Sequence, residues 1–73
     1  MSKTLEELGY EKDGEYTYRK QERWIECVIW FDWEDKSVIS EYRYIDDDEW
    51  KSMSISMEEL KAIYKWCEEQ GWI

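Results

Sequence analysis

Histidine and proline are absent from this sequence, glycine occurs three times and cysteine twice, and no long apolar run is present. Each absence excludes a class of function. Without an imidazole there is no Ser-His or Cys-His nucleophile, and the commonest general base is missing. Structural zinc needs four ligands, which two cysteines cannot supply. A membrane-spanning helix needs about 20 apolar residues, and no stretch approaches that. The opening MSKTLEELGY lacks the apolar centre of a signal peptide, so the expected location is the cytosol. There Cys27 and Cys67 read as packed thiols rather than a disulfide. The lack of proline and the scarcity of glycine argue against disorder.

What is present is aromatic and acidic. Seventy-three residues make one domain, spanning 1–73. A chain of this size buries only about 60% of its unfolded surface. Six Trp, six Tyr and one Phe compensate, since each buried aromatic removes about 150–250 Å² from water. The net charge is −9, which opposes binding to nucleic acid or to anionic membrane. The charge is concentrated. Residues 31–50 hold eight acids (Asp32, Glu34, Asp35, Glu41, Asp46, Asp47, Asp48, Glu49) against Lys36 and Arg43.

Periodicity gives the elements. Residues 4–10, TLEELGY, predict a short helix, with Thr4 and Glu7 as a capping box, Gly9 at C′, and Leu5 and Leu8 facing the core. Residues 15–21 alternate weakly and predict a strand after the turn at Gly14. Residues 23–32 are the best strand: Ile25, Cys27, Ile29 and Phe31 share one face, and Trp24, Glu26, Val28, Trp30 and Asp32 the other. WEDKS makes a hairpin loop, and residues 37–45 return with mixed faces that leave the inner one open. Residues 46–49 are a loop and 50–55 a fourth strand, with Met53 and Ile55 inward. Ser56 and Glu59 form a capping box opening a helix through Gln70, with Met57, Leu60, Ile63, Tyr64 and Cys67 as its buried stripe. Gly71 ends it at C′ and Trp72 folds back. The expected fold is α+β: a short N-terminal helix, a three- to four-stranded antiparallel meander, and a C-terminal helix on one face.

Three segments carry a family resemblance: Glu6-Glu7-Leu8-Gly9-Tyr10; the hairpin from Ile29 to Lys36; and the closing helix, Ile55 to Ile63 with Glu68 to Trp72. In these the chain resembles small acidic accessory proteins of phages and prophages of Gram-positive bacteria. The resemblance implies a phage accessory role, carried out in the host bacterial cytosol. It supplies no activity and no site residues.

No catalytic, cofactor or metal site is expected. Asp46-Asp47-Asp48-Glu49 offers hard oxygen ligands but lacks the spaced acids and glycine of a calcium loop. Ser52, Ser54 and Ser56 have no base to activate them. Tyr16, Tyr18, Trp24 and Trp30 resemble a base-stacking platform but lack a positive groove, despite Arg19, Lys20 and Arg23. Two surfaces remain. One is an aromatic sheet face of Trp24, Val28 and Trp30, joined by Tyr42 and Tyr44, which predicts a protein interface. The other is the acidic set of residues 31–50, which would imitate a phosphate backbone before a basic partner or serve only solubility. Glu68 and Glu69, at a helix C-terminus where the dipole disfavours them, favour a use for acidity. The expected function is therefore a non-enzymatic protein binder, an inhibitor of a host nucleic-acid-binding or defence protein. The second reading is a homodimer through the outer sheet face.

Overall fold

The computed structural model describes residues 3–73. Five antiparallel strands follow one another in simple meander order: β1 (Glu11–Lys12), β2 (Thr17–Glu22), β3 (Ile25–Asp32), β4 (Ser37–Tyr44) and β5 (Lys51–Ser52). One helix, α1 (Met57–Glu69), closes the chain and packs on one sheet face. The architecture is α+β, but it corrects the expectation twice. Among the described residues there is no N-terminal helix, and the sheet has five strands rather than three or four.

The missing helix has a physical cause. Its start and stop signals both act, but too close together. Thr4 N–H donates to Glu7 Oε1 at 2.9 Å, and Glu7 N–H donates to Thr4 Oγ1 at 3.2 Å. Gly9 then turns at φ +100. Gly9 N–H reaches the Glu6 carbonyl and Tyr10 N–H the Leu5 carbonyl, the paired bonds of a helix terminus. Only four residues lie between cap and stop, too few to offset helix nucleation. The result is a hydrogen-bonded turn that still delivers Leu5 and Tyr10 to the core. At α1 the same punctuation brackets thirteen residues. There Gly71 N–H bonds to Glu68 O and Trp72 N–H to Cys67 O.

The extra strand, β1, has no apolar residue to betray it. It forms because buried Tyr10 precedes it and Gly14 (φ +96) turns the chain after it. The strand read over 50–55 contracts to β5, with Met53 and Ile55 beyond it packed against the core.

Register settles the faces. Phe31, Ile29, Cys27 and Ile25 stand opposite Val38, Ser40, Tyr42 and Tyr44. All eight lie on the helix side, because opposed residues of an antiparallel pair share a face. Tyr18 joins them through its pairing with Ile29. The core is Leu5, Tyr10, Tyr18, Ile29, Phe31, Ala62, Ile63, Trp66 and Cys67. Its centre is aromatic: Phe31 and Trp66 stack at 3.6 Å between centroids, and Trp72 meets Trp66 edge-on at 5.1 Å. Such pairs contribute about 0.5–1.5 kcal/mol each beyond the area they bury.

Seating Trp66 flat on Phe31 fixes the rotation of α1, and this corrects the expected stripe. Ile63 and Cys67 are buried, but the other inward residues are Ala62 and Trp66. Met57, Leu60 and Tyr64 are exposed.

Candidate protein-binding surfaces

The sheet face opposite α1 is not the open aromatic patch that alternation suggests. At its centre is Glu26, only 8% exposed. Arg43 Nε donates to Glu26 Oε1 at 2.8 Å, and Arg19 pairs with Oε2 at 3.0 Å. Arg19 also reaches Asp13 at 3.2 Å. Arg43 donates to the Asp47 carbonyl at 3.1 Å and lies over the Trp50 ring at 5.3 Å. A carboxylate taken out of water needs such partners. The register sets Val28 between Arg19 and Glu41, and Trp30 between Thr17 and Ile39. Val28 is buried and Trp30 half-buried. Long polar side chains thus occupy most of this face.

The five predicted aromatic-face residues therefore divide. Val28 and Trp30 lie on the outer face, whereas Tyr42 and Tyr44 point to the helix side and do not join them. Trp24 is in neither strand. It sits in the β2–β3 turn, where Arg23 takes the left-handed conformation (φ 50). Glu22 and Ile25 close that turn as a pair, and Ile45 N–H donates to the Trp24 carbonyl at 2.8 Å.

This last bond assembles a site that alternation alone does not reveal. It draws Trp24 to the end of β4, beside Tyr44 and Ile45. Trp24 is 74% exposed, and Tyr44 and Ile45 are each 42% exposed. An open, mainly apolar groove of about 610 Å³ runs between Glu22, Arg23, Trp24, Ile25, Cys27 and Tyr44. A second hollow of about 410 Å³ adjoins it between Trp24, Tyr44, Ile45 and Asp46. Lys51 lies over the Tyr44 ring at 5.4 Å, so part of this surface already holds a cation. α1 leaves this corner of the sheet uncovered. Sequence reasoning missed Ile45, and it assigned Ile25 wholly to the core. The available signal was the turn: Trp24 and Ile45 each sit one residue beyond a paired strand end.

The eight predicted acids do not form one row. Asp32, Glu34 and Asp35 belong to the β3–β4 hairpin, while Asp46, Asp47, Asp48 and Glu49 follow the other end of β4. Eight residues of strand separate these ends by about 25 Å. Glu41 lies between them on the outer face, opposite Val28 and Ser52. Two of the acids are structural. Asp32 Oδ1 accepts from Glu34 N–H at 3.0 Å and Asp35 N–H at 3.4 Å. Asp47 Oδ1 accepts from Glu49 N–H at 3.0 Å. Asp46 borders the Trp24–Tyr44–Ile45 corner, and Asp46, Asp48 and Glu49 are all exposed.

Among the described residues, no three carboxylates or thiols converge on a point that would hold a metal ion. Cys67 is buried and Cys27 half-buried, both free, and burial pushes both thiols above their ordinary range. No helix among the described residues is long and apolar enough to cross a membrane. No protein-family model, curated protein or solved structure matches this chain. The phage-accessory reading thus rests on the three sequence segments alone.

Proposed function

We propose that this chain is a non-enzymatic binding module that engages a basic protein partner through the corner formed by Trp24, Ile25, Tyr44 and Ile45. The observation that carries the reading is the exposure of Trp24 on a tight turn, beside the exposed Tyr44 and Ile45 and the Asp46 carboxylate. A rigid turn presents the indole at little entropic cost, and buried Trp and Tyr are the residues that dominate interface energetics. Asp46, with the exposed Asp48 and Glu49 that follow it in the chain, supplies negative charge that speeds encounter with a positive surface and selects against acidic competitors. With the phage resemblance, the partner becomes a host nucleic-acid-binding or defence protein in the bacterial cytosol, whose basic groove the module occludes. The acids contribute as two separate clusters, not as a continuous imitation of a DNA backbone.

The test is capture from bacterial lysate followed by titration of the captured protein. Trp24→Ala should weaken binding at least about tenfold through faster dissociation. Neutralising Asp46, Asp48 and Glu49 together should slow association and flatten the salt dependence. Nucleic acid should compete for the partner. Wild-type affinity in both variants would sink the assignment, and binding equal at low and high salt would remove the electrostatic part.

A further inference from the structure

The apolar arc of α1 is wider than the core it covers. Ala62, Ile63, Trp66 and Cys67 are buried. Met57, Leu60 and Tyr64 remain 67%, 49% and 58% exposed. At 100° per residue these three fall in one sector about 60° wide, adjoining Cys67 and Ile63. The opposite flank, Ala62, Lys65 and Glu69, faces the N-terminal turn and Tyr18. The exposed stripe thus lies on the side away from that turn.

Two charges adjoin this sector on its Met57 side, about 20° and 40° beyond it. Lys61 stands three residues before Tyr64 and Glu68 four after it, both exposed, and neither enters an ion pair among the described residues. This border of the stripe therefore carries one charge of each sign, unlike the acidic ends of the sheet, placed nearly symmetrically along the helix about Tyr64.

We propose that this stripe is covered by the same stripe of a second copy, α1 against α1, antiparallel across a two-fold axis beside Tyr64. The rise of 1.5 Å per residue places Lys61 about 4.5 Å to one side of Tyr64 and Glu68 about 6 Å to the other. Reversing the helix brings Lys61 level, to within about 1.5 Å, with Glu68 of the second copy. The in-plane two-fold keeps both residues on the same lateral side of the contact, so two identical ion pairs flank the Tyr64 pair. The stripe would then be satisfied by self-association, leaving the Trp24 corner free for a different protein. The dimer does not depend on that partner reading.

Sedimentation equilibrium of the full chain, from micromolar to millimolar, tests this. The wild type should dimerise reversibly. Lys61→Glu and Glu68→Lys should each weaken the dimer about tenfold, because each reversal sets two like-charged pairs in place of two attractive ones. The double swap should restore it, and mixing the two single variants should yield a heterodimer. Both positions are exposed, and an unchanged melting temperature verifies that folding is intact. A wild type that stays monomeric, a dimer indifferent to either reversal, or single-variant losses without recovery in the double swap or the mixture would each overturn the proposal.

Discussion

At the scale of single residues, the polar contacts with most at stake join distant segments. Tyr10 donates its hydroxyl to Glu59 Oε2. The other oxygen of Glu59 accepts the Ser56 N–H at 2.9 Å. The N-terminal turn is thereby tied to the cap of α1, and Lys20 lies over the Tyr10 ring at 4.6 Å. Burial by itself raises the Glu59 carboxyl, but the Tyr10 hydroxyl and the Ser56 bonds outweigh it and hold the group below its ordinary 4.5. A depressed carboxyl stabilises the fold above 4.5 and loses that contribution as pH falls through its folded value. Tyr10 is shifted the other way: burial first, then the bond to Glu59, raise it above its ordinary 10.0. Its contribution is complete below pH 10 and is lost as pH rises beyond. Tyr10→Phe should cost about 1 kcal/mol at neutral pH and flatten the alkaline limb of a stability–pH curve from urea melts. Glu59→Gln should flatten part of the acid limb. Limbs unchanged in both variants would show that the link contributes nothing. Glu26 is a sharper case. Glu26→Ala leaves Arg19 and Arg43 facing each other without their carboxylate. Both are partly exposed, with side chains 49% and 28% accessible, so rehydration limits the loss to about 1–3 kcal/mol, readable by chemical denaturation.

At the scale of elements, stop signals were easier to read than lengths. EELGY and EEQGW both end in the same bond pattern, yet only the second closes a helix, because propagation needs residues between the signals. The short strands β1 and β5 were hard to see for a related reason. Two residues carry no period, and their pairing is imposed by what anchors their ends. The rotation of α1 was hidden because its apolar residues span a wide arc, and only the stacking of Trp66 on Phe31 decides which part is buried. By contrast β3 was legible, since both of its faces are specified by side-chain type. The two glycines separate conformation from space. Gly71 (φ +78) has nothing near a new Cβ, whereas at Gly9 (φ +100) that atom would lie 3.3 Å from Lys20 Cδ. Gly71→Ala should therefore cost about 1 kcal/mol, the strain of a left-handed alanine. Gly9→Ala should cost more, by displacing Lys20 from Tyr10. Equal midpoints in urea would show that the Lys20 contact is immaterial.

At the scale of the whole molecule, the sequence disclosed how much charge there is but not where it gathers. Composition shows eight acids in residues 31–50; the meander sends them to opposite ends of β4. The aromatic site was misjudged on the same account, since a residue's face depends on pairing, and Trp24 owes its neighbours to one bond with Ile45. The division of charge makes a prediction about folding itself. Screening acts over about 10 Å at 0.1 M salt, so clusters about 25 Å apart scarcely feel each other. Repulsion within residues 46–49 is the larger local burden, with four consecutive acids and only Arg43 and Lys51 nearby. Salt should thus stabilise the isolated chain while loosening its grip on a basic partner, two effects of opposite sign from one set of side chains. Raising NaCl from about 20 to about 300 mM should lift the melting temperature by a few degrees. Asp46→Asn with Asp48→Asn should raise the low-salt melting temperature and remove most of that increment. A melting temperature indifferent to salt, or an increment unchanged in the double variant, would show that this loop bears no repulsive strain and that its charges act only on what approaches from outside.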